Sequence, residues 1–216
     1  MAPPVPHGVD ISEGMLMGLA RKWPLAFGAL AGFIALGAAL AVLGNTPEGW
    51  RLAARLTARV GFPILLLTYA ASSLGKVWHS PISRAIWRDR RWWGLGFAAC
   101  HTIHLVSLVT AIRLGAPPPK LLTLVGGGGG YAIMYLMVLT SNRAAMRMLG
   151  RSWKGLHSLG IHWLWLVFLF SYLNRVVRPE TAAEGVIGSV LALAALVLRL
   201  VAKRRVVPGG WKPART

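Results

Sequence analysis

The sequence predicts an all-α integral membrane protein, a bundle of six transmembrane helices with both termini in the cytoplasm. Apolar residues make up 55% of the chain and charged residues only 14%, whereas a soluble domain carries about 25% charged residues. Apolar runs of about 20 residues, the length that crosses a bilayer, recur along the chain. Lys and Arg gather in alternate connections between these runs, and this asymmetry indicates the orientation.

Six spans follow from the apolar runs. The second is the least regular, because Arg55 and Arg59 lie in its first turns. Either both side chains reach the interface or the span begins near Val60. Pro63 is expected to kink this helix, which neighbouring helices can accommodate. The predicted spans are 24–43, 54–74, 92–112, 121–140, 156–174 and 182–201.

The basic residues give the orientation of these spans. Of the 24 Lys and Arg residues, 17 fall on the side of the two termini and 7 on the other. Basic connections stay in the cytoplasm, so both termini are expected there. No cleavable signal precedes the first span, which is expected to remain as an anchor. The predicted organisation is a cytoplasmic arm (1–23), the bundle (24–201) and a basic cytoplasmic tail (202–216).

Composition also excludes several classes of function. A net charge of +18 would suit a nucleic-acid binder, but no basic face remains once the spans are removed. The expected partner is therefore the lipid bilayer, and nucleic acid is not expected. Cys100 is the only cysteine, which excludes an intramolecular disulfide and a thiolate metal site. The glycine run Gly126–Gly130 lacks the strand and the Lys-Ser/Thr of a phosphate loop, so it indicates helix packing or room for a flat cofactor.

Four histidines lie in the third and fifth spans: His101, His104, His157 and His162. Ionisable groups at membrane depth are rare and indicate function. Histidines on two facing helices can ligate a haem iron. A proton relay would normally recruit carboxylates, which the span cores lack, and zinc would need three or four close ligands. The structural alternative is a hydrogen bond from each ring to a backbone carbonyl or a serine.

Two segments resemble the ferric reductase-like transmembrane domain family. They are LTSNRAAMRMLGRSWKGLH (Leu139–His157) and RRWWGLGFAACHTIHL (Arg90–Leu105). The resemblance covers roughly residues 50–200, and within the family it is greatest to bacterial haem-binding membrane subunits. It implies b-type haem between helices three and five, in the inner (plasma) membrane. Electrons would pass from a cytoplasmic flavin or nicotinamide donor to an acceptor across the membrane.

Larger members of the family carry a flavin and nucleotide domain after the last helix. This sequence ends shortly after its sixth span, so the resemblance implies a separate electron donor. The donor would be a flavin reductase, with FMN as a second cofactor, or a quinone in the bilayer. A separate acceptor protein, a metal or a quinone would receive the electrons.

The ligand positions of the family transfer only in part. Two-haem members carry two histidines on each of helices three and five, roughly four turns apart. His104 matches the outer position on helix three, and Arg90 stands at the inner one. His157 matches the inner position on helix five, and Phe170 stands at the outer one. The resemblance therefore implies His104 and His157 as metal ligands, each without its family partner.

Other residues can complete or replace this set. His101 lies three residues before His104 and shares its helix face, and His162 is a further candidate on helix five. Arg90 and Arg91 would pair with haem propionates or a flavin phosphate, or simply anchor the helix at the interface. The expectation is one b-type haem that transfers electrons for a partner enzyme. The alternative is a haem-less structural subunit of the same fold.

Overall fold

The computed structural model describes residues 21–204, and within that range the chain is helical with no strand. The greater part of the predicted arm and of the predicted tail lies outside these residues. The helices are α1 (Trp23–Leu43), α2 (Pro47–Val77), α3 (Pro81–Arg88), α4 (Arg90–Arg113), α5 (Leu121–Leu139), α6 (Arg143–Val176) and α7 (Ala182–Arg204). A 3₁₀ turn, Pro179–Thr181, precedes α7.

Six of these helices, all except the short α3, are long and apolar enough to cross a membrane. The predicted six-span architecture is therefore confirmed, and two spans differ in length. Helix α2 begins at Pro47, because Pro suits the first helical position and Thr46 caps the end by accepting a hydrogen bond from the Gly49 amide at 3.0 Å. Arg55 and Arg59 are thus helical residues, and the helix continues through Pro63.

Helix α6 is longer than its predicted span because the basic connection before it is also helical. Asn142 caps its start, accepting a hydrogen bond from the Ala145 amide at 2.8 Å. Gly150 then interrupts the helix with a φ of 50°, a left-handed conformation that glycine adopts without a steric penalty. The apolar part that is long enough to cross a membrane begins at Arg151.

Helix α2 lies at the centre of the bundle and packs against α1, α3, α4, α6 and α7. Small residues allow the closest approaches. A methyl group on Gly28 of α1 would meet the backbone of Gly96 on α4, and one on Gly188 of α7 would meet the ring of Tyr172 on α6. In a bilayer such backbone proximity is a main source of helix association, since lipid gives helices little hydrophobic drive to pair.

Helix α5 is the most peripheral span. Gly129 and Gly130 pack against the indole ring of Trp163 on α6, and the Gly126 carbonyl accepts a hydrogen bond from its Nε1 at 3.2 Å. A Cβ on Gly126, Gly127 or Gly128 would meet no described atom within 4 Å. Part of the glycine run therefore serves helix packing, as the sequence indicated.

An aromatic core joins α2, α4 and α6. Phe62 on α2 lies 4.5 Å from Tyr172 and 5.4 Å from Phe168, both on α6, measured between ring centroids. Phe97 on α4 lies 6.1 Å from Phe168. The backbones of α4 and α6 stay apart, so these rings and their neighbours fill the space between the two helices.

Asp89, between α3 and α4, is the buried acid at one end of the bundle, with a side chain only 4% exposed. Arg88 donates to its two oxygens at 3.0 and 2.7 Å, and Arg21 donates at 3.5 Å. Burial by itself would raise the pKa of Asp89, but these hydrogen bonds and positive charges outweigh it and hold the pKa below the ordinary 3.8. The carboxylate ties the residues before α1 to the start of α4.

The lowered pKa of Asp89 predicts a pH-dependent stability. A carboxyl group with a depressed pKa stabilises the folded state above its ordinary pKa, and that stability is lost as the pH falls through the lowered value. Asp89→Asn should lower the Tm in detergent at neutral pH. Lowering the pH from about 6 to about 3 should then narrow the difference between the variant and the wild type. A difference that stays constant with pH would contradict this prediction.

The contact between α1 and α4 predicts a contrast between two glycines of α1. Gly28→Ala places a methyl group against the Gly96 backbone, and such overpacking costs about 1–3 kcal/mol. Gly37→Ala is the matched control, because nothing lies within 4 Å of its added Cβ. The Tm should fall for Gly28→Ala and be unchanged or higher for Gly37→Ala. Equal values for the two variants would refute the close contact.

Candidate functional site

The four histidines of the spans occupy three separate places. His101 and His104 lie together in the middle of α4, facing α2 and α5. His162 lies on α6 against α2, and His157 lies nearer the start of α6, against the end of α5. The structure therefore brings together only the first pair.

His101, His104 and Tyr131 of α5 form a stack of three rings, here named the histidine stack. The imidazole centroids are 4.7 Å apart at an interplanar angle of 23°. Tyr131 lies 5.4 Å from His101 and 6.4 Å from His104. Phe97 and Phe168 flank the His101 ring at 4.8 and 5.4 Å. The stack thus occupies part of the space between α4 and α6.

The ring of His104 is oriented by a hydrogen bond to α2. Its Nδ1 lies 2.7 Å from the Ala54 carbonyl oxygen, and a carbonyl can only accept, so Nδ1 carries the proton. The Thr57 hydroxyl donates to the Ala53 carbonyl at 2.7 Å and lies 3.3 Å from the same nitrogen. Nε2 of His104 is left with its lone pair. Metal-binding histidines are typically oriented by such a hydrogen bond from the other ring nitrogen.

His101 makes no hydrogen bond within residues 21–204, although it is only 9% exposed and its Nδ1 is buried. The buried hydroxyl of Tyr131, in the same stack, also has no hydrogen-bond partner in the described part of the chain. Buried polar atoms are rarely left unpaired, because each costs about 1–3 kcal/mol. Two such atoms in one stack indicate a place where a further polar group is needed.

His162 lies at a different depth from the histidine stack. Its Nδ1 is 2.6 Å from the Ser158 carbonyl oxygen, and its ring meets Tyr69 of α2 at 5.4 Å between centroids. His104 contacts Thr57 of α2, twelve residues before Tyr69, which corresponds to about 18 Å along a helix. His104 and His162 therefore do not face each other across a space that one iron could fill.

His157 belongs to the junction between α5 and α6. Its Nε2 lies 3.0 Å from the Thr140 hydroxyl, and its ring stacks on Trp153 at 4.2 Å between centroids. The Trp153 indole donates to the Thr140 carbonyl at 2.8 Å. Among the described residues, no hydrogen bond or ring contact joins His157 to Arg90.

Arg90 and Arg91 are exposed at the start of α4. Arg90 donates to the Trp87 carbonyl at 3.2 Å, and the guanidinium of Arg91 lies 5.0 Å from the Trp92 ring centroid. Neither arginine has an ion pair within the described range. Contacts with aromatic rings at the end of a span are typical of interfacial anchoring. Pairing with a propionate or a flavin phosphate stays a prediction.

On α6 the residue that faces the histidine stack is Phe168, and Phe170 points away with 61% of its surface exposed. Residues two apart on a helix are rotated by about 200°, so Phe168 and Phe170 cannot share a face. The sequence identified Phe170 as the departure at the outer ligand position. It gave no indication of Phe168, Tyr131 or the Ala54 carbonyl, because nothing in the sequence shows which helix faces meet.

The residues of the histidine stack match a haem site in one respect and not in another: the His104 ring is oriented, but aromatic side chains occupy the adjoining space. The hydrogen bond from Nδ1 to the Ala54 carbonyl orients the His104 ring and leaves the lone pair of Nε2 for a ligand. The α6 side of that space holds aromatic rings, so no second histidine faces His104 from α6. Within residues 21–204, no three His, Cys, Asp or Glu side chains come together as a metal site.

The two histidines of the stack should differ in their effect on stability. His101→Phe keeps the ring stacking and removes a buried polar atom that makes no hydrogen bond, so the Tm of haem-free protein in detergent should be unchanged or higher. His104→Phe loses the hydrogen bond to Ala54, worth about 1 kcal/mol, and its Tm should be lower. Each variant serves as the control for the other, and the reverse order would refute the assignment.

The chain is similar to several curated proteins, among them a haem-binding membrane subunit. Over 130 residues the chain is 33% identical to the protein-methionine-sulfoxide reductase heme-binding subunit MsrQ of Cronobacter sakazakii, a match that covers 53% of this chain and 64% of that protein. The chain thus spans less than two thirds of the relative's length. No family model and no solved structure matches the chain. The identity supports a common family for the two chains, and the wider ferric reductase-like assignment stays a prediction.

Proposed function

We propose that this protein transfers electrons across the membrane through one b-type haem, as the membrane subunit of an oxidoreductase system. The observation that carries the proposal is the hydrogen bond from His104 Nδ1 to the Ala54 carbonyl, which leaves Nε2 as the nitrogen that would hold the haem iron. The identity with a heme-binding subunit supports it independently. When bound, haem supplies a one-electron carrier whose potential the protein tunes through ligation and burial.

The roles proposed for the other residues follow from their contacts. Thr57 and Ala54 orient His104, and Phe97 and Phe168 exclude water around the neighbouring His101 ring. His101, buried without a hydrogen bond, is the nearest reserve ligand or a partner for a group bound beside the stack. His157 and His162, which are hydrogen-bonded elsewhere, stabilise helix contacts. Arg90 and Arg91 anchor α4 or pair with a propionate.

The electron donor and acceptor are part of the same proposal. The termini lie in the cytoplasm of a cell whose inner membrane holds the bundle, by the distribution of basic residues. A cytoplasmic flavin reductase with FMN, or a quinone in the bilayer, supplies the electrons. A separate protein on the other side accepts them, as the name of the relative, a subunit of a reductase, suggests.

The second candidate is a haem-less membrane subunit that kept the helices and lost the ligand set. The arrangement of the histidine stack favours it, because the rings of Tyr131 and Phe168 already pack against the imidazole pair. On this alternative the stack is a packing element, and His104 is simply a histidine bonded to a backbone carbonyl.

An absorption spectrum of the detergent-purified protein, expressed with added haem, separates the two candidates. A Soret band with a broad, high-spin spectrum is expected, because neither histidine of α6 lies near His104. His104→Ala should abolish the band or reduce it at least tenfold. His157→Ala is the matched control and should retain it. The absence of a Soret band in wild-type protein would contradict the haem proposal, and a band unchanged in His104→Ala would contradict the ligand assignment.

A further inference from the structure

A cavity of about 590 Å³ lies between α2, α6 and α7, away from the histidine stack, and opens to the outside of the bundle. One end is polar, where Arg59 and Glu184 line it. Leu66, Ile187 and Leu191 form apolar walls over the rest. Ile187 and Leu191 are also exposed on the outer face of α7, so in a membrane the mouth of the cavity faces lipid.

The polar end carries more positive than negative charge. Arg59 binds both oxygens of Glu184, at 2.8 and 2.7 Å, and Arg175 donates to the first of them at 3.0 Å. Arg55 lies one turn before Arg59 on α2, so the two arginines share a face of that helix. The polar end therefore has three arginines for a single carboxylate, which already accepts three hydrogen bonds from Arg59 and Arg175.

Arg55 is the third arginine, and it takes no part in the hydrogen bonds to Glu184. It is exposed, and no hydrogen bond or ion pair within the described residues involves its side chain. The side chain of Arg59, one turn further along α2, is 43% exposed. Arginines at this position in a span, where the helix enters the apolar layer, are costly unless an anion meets them. Guanidinium groups bind phosphate oxygens through paired hydrogen bonds.

The geometry points to a binding site for an acidic phospholipid in this cavity. The phosphate of the headgroup would meet Arg59 at the polar end of the cavity and Arg55, which lies one helical turn beyond the lining, and an acyl chain would lie along Leu66, Ile187 and Leu191. The shape favours a lipid over a free anion, because the apolar part of the cavity continues from the charged end toward the bilayer. Charge complementarity favours an acidic headgroup, since the local excess is positive.

Titration of the full-length protein in neutral detergent tests this inference, with the bound lipid counted by native mass spectrometry. Phosphatidylglycerol is the probe, and phosphatidylcholine and inorganic phosphate are titrated in parallel. Wild-type protein should retain phosphatidylglycerol in preference to phosphatidylcholine. Arg55→Gln should weaken phosphatidylglycerol binding about fivefold, the effect of one cation near a membrane surface. Arg55→Lys should restore most of it.

Two further variants complete the test. Arg113→Gln is the matched control, because it removes an exposed arginine at the corresponding end of α4, outside the cavity. Leu191→Trp fills the apolar wall and should weaken lipid binding without changing helix content by circular dichroism. Equal loss in Arg55→Gln and Arg113→Gln would overturn the site. The assignment to an acidic phospholipid would be overturned if phosphatidylcholine were retained as well as phosphatidylglycerol. It would also be overturned if inorganic phosphate bound as tightly as phosphatidylglycerol.

Discussion

The close packing of α2 against α4 is the contact on which the candidate site depends. In a bilayer every backbone group must be satisfied within the protein, which restricts the spans to helices and gives the small residues between them their importance. Because α2 lies within hydrogen-bonding distance of α4, the Ala54 carbonyl can accept from His104, and Cys100 can lie 3.5 Å from the Thr57 carbonyl. A looser contact would leave the His104 ring free to rotate and its tautomer undefined.

The bundle separates its polar groups by depth and by side. The histidine stack lies between α2, α4 and α5, whereas the Arg59–Glu184–Arg175 network joins α2, α6 and α7 on another side of α2, since Arg59 lies two residues after Thr57 and is rotated by about 200°. A third polar contact, from Arg199 of α7 to the Tyr69 carbonyl at 2.9 Å, lies further along α2. Each polar group therefore uses α2 as its common support, and substitutions in this helix should disturb several of them together.

The sequence was sufficient for the number, order and approximate limits of the spans, because hydropathy and length are local properties. It failed at the ends of α2 and α6, where caps at Thr46 and Asn142 extend helices into basic, polar sequence. The candidate site was harder to predict from the sequence than the spans were. His104 was identified as the foremost ligand candidate from a resemblance, but its hydrogen-bond partner is a backbone carbonyl, which no residue type reveals. Whether His157 or His162 lies opposite His104 depends on the rotation and depth of the helices, which the sequence does not give.

The Nδ1 atom of His101, which has no hydrogen-bond partner among residues 21–204, has a consequence for affinity. A buried polar atom without a hydrogen bond raises the free energy of the unliganded protein by about 1–3 kcal/mol. A molecule that supplies the missing hydrogen bond recovers this energy when it binds, in addition to its other contacts. That recovery corresponds to a factor of about 5 to 150 in the dissociation constant. The histidine stack would therefore discriminate between two ligands of equal size according to whether either can bond to a single imidazole nitrogen.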